Sequence, residues 1–293
     1  VQPPCPYFGQ CGGCDYQHIA YHHQLELKRR QVIQLLERVG HLTDVEVLPT
    51  FASANPYAFR NRITVHASQG KIGFFAKNSR TVVDVEHCAL AIPAVNDALK
   101  ELRTIGLGEG KHRTLRAAGI PRTFTQTNDS IAGALLDFVR HRVVGKVLVD
   151  AYCGSGFFGH ALAERLATVV GVDWNEPAIE TARASALANE TYFCGDVSET
   201  IESLLGRHHP ETVILDPSAE GVDTRVIDTL TRHPVPRLLY VSCHPATLAR
   251  DLARLRNKYR IIAVQPFDMF PQTAEIEAVA VLELLSSDRK TPP

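Results

Sequence analysis

Two residues toward the carboxyl end of the chain have the chemistry of covalent catalysis. Cys243 stands in Tyr240-Val-Ser-Cys243-His-Pro245, where an apolar run ends and a proline forces a turn. A thiol at a strand terminus, on the face where ligands bind, is placed to act as a nucleophile. Glu277 closes Phe270-Pro271-Gln-Thr273-Ala-Glu-Ile-Glu277, just before a last apolar run. A partly desolvated carboxylate beside a nucleophile can serve as a general base. A third group opens the chain: Cys5, Cys11 and Cys14, the last two separated only by Gly12-Gly13. Thiolates so spaced can turn onto one metal centre. Three are one short of a closed tetrahedral set, and both Zn²⁺ and a [4Fe–4S] cluster fit the spacing.

A cofactor cradle lies between these groups. The run Lys146-Val-Leu-Val-Asp150 leads into Ala-Tyr152-Cys-Gly154-Ser-Gly156-Phe-Phe-Gly159. Gly154 and Gly156 allow a tight turn and a close approach of backbone to ligand at a helix start. With Gly159 the pattern also satisfies a dinucleotide fingerprint, so NAD is a rival on this feature alone. Two acids that follow favour S-adenosylmethionine. Asp173, ending the next apolar run, can accept from both ribose hydroxyls. Asp196, in Cys194-Gly-Asp196, is placed to reach an adenine amino group.

The elements that must position these residues follow from hydrophobic periodicity. Tyr16 to Val39 reads as an amphipathic helix with Leu25, Val32, Leu36 and Val39 on one face. Lys28, Arg29, Arg30 and Arg38 occupy its polar face, and Gly40 is its C-cap candidate. Segments 45–47, 62–66, 71–75 and 81–85 have strand character broken by turn residues, which predicts a small antiparallel sheet. A helix over 94–105 ends at Gly106. Beyond residue 119 apolar runs alternate with helices at 155–166, 176–189 and 246–255. That alternation predicts βαβ units and a parallel sheet, with ligands at the strands' carboxyl ends. The fold class is therefore α/β: a Rossmann-like domain at 119–293, preceded by a cluster-binding segment and helix at 1–44 and a β-rich domain at 45–118. The last two form a smaller α+β N-terminal part.

At this point the motifs resemble a known family, the RNA uridine-5-methyltransferases of tRNA and 23S rRNA, in the branch that carries an iron–sulfur cluster. The resemblance runs over essentially the whole chain. It rests on the C-x5-C-x2-C start with His87-Cys88, Phe59-Arg60-Asn61-Arg62, Lys71-Ile-Gly73-Phe and Phe124-Thr-Gln126-Thr-Asn128. It continues in Tyr152-Cys-Gly-Ser-Gly, Asp216-Pro217, Ser242-Cys243-x-Pro245-x-Thr247-x-x-Arg250-Asp251 and Phe270-Pro271-x-Thr273-x-x-x-Glu277. The resemblance implies that Cys88 completes a [4Fe–4S] ligand set with Cys5, Cys11 and Cys14. It implies that Gln126, Tyr152, Gly154, Gly156, Asp173 and Asp196 line the S-adenosylmethionine site, with Asp216 between cofactor and uracil. Cys243 becomes the nucleophile and Glu277 the base, and Phe124 is a stacking partner for an extracted base. The chain departs from the family's pattern at Ser218-Ala219, His244, Glu275 and Phe157. The small RNA-binding barrel that often precedes the first cysteine is expected to be absent or removed.

The formal charge of −1 averages over two unlike halves. Residues 1–118 carry 14 Lys and Arg against 10 Asp and Glu, while 119–293 carry 17 against 22. RNA is accordingly expected against the first half, through Arg60, Arg62 and the Lys28–Arg30 helix. Seven cysteines, no apolar run of membrane-spanning length and no signal peptide predict a reducing, cytoplasmic setting without a membrane or an obligate protein partner. The first expectation is an enzyme forming 5-methyluridine in RNA through a Cys–uracil adduct, with 23S rRNA preferred over tRNA. The alternative is an RNA-binding or chaperone protein that kept the fold and lost the activity; Cys243 and Glu277 weigh against it.

Overall fold

The computed structural model describes residues 1–119 and 126–285; Phe124 lies outside them. The chain divides into two compact units, each assembled from several stretches. The first comprises 1–28, 51–133 and 267–275, the second 29–50, 134–266 and 276–293. The sequence, in contrast, suggests three contiguous segments.

In the first unit a four-stranded sheet, β1 (Arg62–Ser68), β2 (Lys71–Phe75), β3 (Val82–Asp84) and β4 (His112–Arg116), is ordered β3-β2-β1-β4. Its pairings are antiparallel. Strict alternation in β1 buries Ile63, Val65 and Ala67. They pack with Val95, Leu99 and Leu102 of α2 (Pro93–Ile105). Pro93 starts that helix, and Gly106, at φ 88°, ends it. The antiparallel sheet is as expected, with two differences. Residues 112–116, for which the sequence predicts no strand, form an edge strand. Residues 45–47 form no strand of this sheet: they belong to the second unit, where Val47 makes an isolated parallel bridge to Val264.

The helix expected over 16–39 is α1 (Tyr21–Arg38). Lys28 does not face solvent on it. It is fully buried, with Nζ donating to Asp268 Oδ1 at 2.5 Å, Glu275 O at 2.8 Å and Phe270 O at 3.0 Å. The expectation that Lys28 meets RNA is thereby corrected: its charge is spent on a partner 240 residues away in sequence. Gly40 also differs from its expected role. The left-handed residue after α1 is His41, at φ 52°. Gly40 is required by closeness, because an added Cβ would lie 2.8 Å from the carbonyl of Ala249.

The second unit is built on a seven-stranded sheet of order β10-β11-β9-β8-β5-β6-β7. Its strands are β5 (Val147–Ala151), β6 (Thr168–Asp173), β7 (Glu190–Cys194), β8 (Thr212–Leu215), β9 (Arg237–Ser242), β10 (Tyr259–Phe267) and β11 (Glu277–Leu284). The five from β7 to β9 are parallel, and β11 runs antiparallel to β9. Apart from the edge strand β7, these parallel strands are mostly apolar and almost wholly buried, as strands covered on both faces must be. The strand order reverses between β5 and β8. At that switch point the carboxyl ends open a crevice for ligand.

Candidate active site

The turn after β5 is the first wall of that crevice. Tyr152, Gly154 and Gly156 all have positive φ, at 63°, 53° and 86°. Glycine adopts this conformation freely, whereas Tyr152 is held in it at a cost of about 1–2 kcal/mol. Strain of this kind collects at functional turns. A Cβ added at Gly154 would meet nothing within 4 Å, so the turn presents bare backbone to open space. Gly156 then caps α4 (Phe157–Leu162), a shorter helix than the expected 155–166.

Asp173, at the end of β6, is 8% exposed. Its Oδ2 accepts from the Gly154 N–H at 2.9 Å, and its Oδ1 from the Asn175 N–H at 2.8 Å. It therefore ties the two strand-end turns together and keeps spare lone pairs for a ligand hydroxyl. Asp196 is exposed and is the N-cap of α6 (Val197–His208), its Oδ1 accepting from Ser198 N–H and Oγ–H, both at 2.7 Å. Capping uses one of its carboxylate oxygens. Gln126 belongs to the first unit, where its main-chain oxygen accepts from Asn61 Nδ2 at 3.0 Å.

Four carboxyl groups converge beneath the crevice. Asp150 is wholly buried. Its Oδ2 accepts from the Gly159 N–H at 2.9 Å, while Oδ1 has no partner. Burial, with the charges of Asp216 and Asp173, pushes its pKa up to about 8 against the pull of that hydrogen bond. Burial and Asp173 push Asp216, just beyond β8, up to about 7. Glu277 is 5% exposed, and burial followed by the Asp216 charge holds it well above the ordinary carboxylate range. A carboxylate whose pKa is raised in this way is a stronger base, once ionised, than an ordinary carboxylate, which proton abstraction needs.

Strand register brings the two catalytic candidates together. Ala278 of β11 pairs with Ser242 of β9. Glu277 opens β11 and Cys243 directly follows β9, so the two stand at the same end of this strand pair. Cys243 is exposed at the mouth and Glu277 is buried behind it.

The helix after Cys243, α8 (Pro245–Leu255), anchors the opposite lip. Its Thr247 Oγ1 donates to Ala219 O at 3.2 Å, and Arg250 Nη2 to Glu220 O at 2.9 Å. Asp251 Oδ2 accepts from the Val222 N–H at 3.0 Å and the Tyr240 O–H at 2.9 Å. Two of the chain's departures gain a reason here. His244 is the N-cap of α8, its Nδ1 accepting from the Thr247 N–H, which is the work an asparagine side chain would do. Ser218 and Ala219 sit in a loop held through its main chain.

The first unit holds the four remaining cysteines of interest. Cys5, Cys11, Cys14 and Cys88 are half-buried and line one cavity, together with Tyr7, Phe74 and Arg60. The first three reach it on a tight loop tied to the end of β2: Gly12 N–H donates to Phe75 O at 2.9 Å, and a Cβ on Gly12 would crowd that carbonyl at 3.0 Å. Asn96 of α2 fixes the Cys88 loop, its Oδ1 accepting from the Cys88 N–H at 2.8 Å and its Nδ2 donating to Cys88 O at 3.0 Å. Burial raises Cys11 and Cys88 and pushes Cys14 up to about 12, while the Arg60 charge opposes all three shifts. Among the described residues no group of three or more His, Cys, Asp or Glu is arranged to hold a single metal ion. Arg60, expected to meet RNA, thus lines the thiol cavity. Arg62 lies on β1 in register with Arg116 of β4.

An uncharacterized RNA methyltransferase of Listeria monocytogenes serotype 4b is 31% identical to this chain over 385 aligned residues, covering 97% of this chain and 84% of the relative. The chain belongs to the RNA uridine-5-methyltransferase family. The sequence model described as tRNA (Uracil-5-)-methyltransferase matches residues 199–284 of this methyltransferase, the stretch that carries Asp216, Cys243 and Glu277. An uncharacterized RNA methyltransferase of Thermosynechococcus vestitus is 30% identical, covering 96% of this chain and 84% of its own. The Listeria alignment is longer than this chain's 293 residues, so the relative holds segments that this methyltransferase does without. Among solved structures, the tRNA (uracil-54, C5)-methyltransferase of Pyrococcus abyssi in complex with S-adenosyl-L-homocysteine superposes with a TM-score of 0.75. It is 26% identical, and the match covers 92% of this chain and 85% of that one. The protein is an S-adenosylmethionine-dependent RNA uracil methyltransferase of Rossmann-like α/β fold. Among the described residues no helix is long and apolar enough to cross a membrane.

Proposed function

We propose that this enzyme forms 5-methyluridine in RNA through a covalent adduct between Cys243 and the uracil ring. The observation that supports the reading is the pairing of Ala278 with Ser242, which brings Glu277 and Cys243 to the same end of two neighbouring strands. Carbon 5 of uracil is too weak a nucleophile to attack a sulfonium methyl group unaided. Addition of the Cys243 thiolate at carbon 6 makes carbon 5 enolate-like. S-adenosylmethionine, when bound, supplies the electrophilic methyl group. Carbon 5 would take that methyl by in-line displacement, the methyl–sulfur bond breaking to leave neutral S-adenosylhomocysteine. Glu277 then removes the proton left on carbon 5, and the electrons of that C–H bond expel the thiolate. Asp216 lies between the cofactor and the base. The bare turn at Gly154 and Gly156, with Tyr152, Asp173, Asp196 and Gln126, holds the cofactor; open space over Gly154 and the lone pairs of Asp173 support that fit. The uridine leaves its stack to reach Cys243, with Phe124 as stacking partner and Arg62 on the RNA.

The four thiols lining one cavity support a [4Fe–4S] cluster on Cys5, Cys11, Cys14 and Cys88 in an N-terminal iron–sulfur domain. An all-sulfur donor set selects iron–sulfur clusters or zinc, and thiols spread around a cavity favour a polynuclear centre over one ion. Two targets follow from different observations. The motif pattern points to 23S rRNA, and the likeness to the Pyrococcus abyssi enzyme favours a tRNA uridine. Incubation of the enzyme with unmodified 23S rRNA and tRNA in parallel, with methyl-labelled cofactor, distinguishes them. The expected label is in 5-methyluridine of one RNA. Label in another nucleoside, or in neither RNA, overturns the proposal.

A further inference from the structure

We propose that Arg60 is the fixed counter-charge of the thiol-bound centre, a positioning residue that donates to its sulfur atoms and raises its reduction potential. The inference rests on reading Cys5, Cys11, Cys14 and Cys88 as ligands of a [4Fe–4S] cluster.

Arg60 forms part of the cavity wall with all four thiols. Its main chain is bonded to the very loop that carries Cys88. Arg60 N–H donates to Leu90 O at 2.7 Å, and Arg60 O accepts from the Ile92 N–H at 3.1 Å. Those bonds fix the backbone from which the side chain reaches the cavity wall. Its Nε is buried and has no hydrogen-bond partner. The Phe59 ring lies 5.9 Å from the guanidinium carbon, and no carboxylate pairs with Arg60 among the described residues.

That arrangement is costly in a protein with empty thiols. Arginine stays protonated under all ordinary conditions, and a partly buried cation without an anion loses hydration for little return. Four thiolates around an oxidised [4Fe–4S] core make a dianionic centre, which provides the missing anion. The unpartnered Nε–H can then donate to sulfur. Net charge and hydrogen bonds to sulfur are what set the potential of such clusters, so a nearby positive charge favours the added electron. The motif Phe59-Arg60-Asn61-Arg62 thereby divides its two arginines: Arg60 serves the cavity, and Arg62 lies on the sheet.

The test uses holoenzyme purified without oxygen, as unaltered protein and as Arg60→Lys, Arg60→Gln and Arg60→Met. Iron and acid-labile sulfide are measured first on the unaltered protein. Zinc, or no metal, at that step removes the ligand reading itself, whatever Arg60 does. With a cluster present, electrode-poised titration followed by electron paramagnetic resonance gives the potential, and a chelator challenge gives iron retention. The expected order of potentials follows charge, with Arg60→Lys nearest the unaltered protein and both neutral variants more negative. Removing such a support from a metal site typically weakens binding about 10- to 100-fold, so the neutral variants should release iron correspondingly faster. If Arg60→Met does not fold, Arg60→Gln carries the comparison. Neutral variants with the potential and iron retention of the unaltered protein would overturn the inference.

Discussion

Replacing Glu277 by glutamine separates its chemical role from its structural one. Gln has the same shape and cannot accept the carbon 5 proton. A positioned general base contributes about 10²- to 10⁴-fold, or ~2.7–5.4 kcal/mol of barrier, and turnover should fall by that factor. Steps before proton removal need only Cys243, so methylated RNA should accumulate on the protein as a covalent adduct that survives denaturing electrophoresis. The structure predicts the opposite sign for stability. Burial and the Asp216 charge raise the Glu277 pKa in the folded protein, so the folded state binds that proton more tightly than the unfolded chain. Stability from this group is then complete below the unfolded value and is lost as pH rises through the folded one. As pH rises, the buried carboxylate therefore costs the folded state stability, and Glu277→Gln removes that cost. Thermal unfolding at pH 8 should show the variant at least as stable as the unaltered enzyme. A variant that turns over within about tenfold of normal, or that loses activity together with stability and forms no adduct, would refute this role for Glu277.

Three further expectations concern the framework. Lys28→Met removes one partner of a buried ion pair and leaves the Asp268 carboxylate, among the described residues, with the Tyr21 O–H at 2.8 Å; chemical denaturation should show a loss of about 3–5 kcal/mol. Asp150→Asn keeps an acceptor for Gly159 N–H and removes a buried carboxyl whose pKa is about 8. Its stability should match the unaltered protein near pH 4 and exceed it above pH 8, as read from melting curves across that range. Gly154→Ala introduces a methyl group into open space at φ 53°; it should fold at a cost of about 1–2 kcal/mol while weakening cofactor binding, as measured by titration calorimetry with S-adenosylhomocysteine.

Much of the second unit is legible in the sequence because parallel strands buried on both faces read as apolar runs. The runs ending in Asp150, Asp173, Asp216 and Ser242 became β5, β6, β8 and β9. The helix over 197–208 was equally available from the spacing of Val197, Ile201, Leu204 and Leu205, with Asp196 as its cap. The sequence could not disclose contacts set by distant chain. Lys28 looks like any lysine on a polar helix face, because Asp268 lies 240 residues away. Arg60 and Arg62 are two residues apart and alternate in a strand-like motif, yet only folding reveals that one lines the thiol cavity. The compact units escaped a linear reading for a similar reason: 267–275 returns to the first unit between two strands of the second. His244 and Glu275 looked like departures at the chemistry. In the fold one caps α8, and the other gives its carbonyl to Lys28.

The most direct test of the account is methyl transfer by Cys243→Ala. With methyl-labelled S-adenosylmethionine and unmodified RNA, the unaltered enzyme should place label in 5-methyluridine. The variant should bind cofactor normally, transfer no label and form no adduct. Label reaching carbon 5 of uridine in the Cys243→Ala protein would contradict the account.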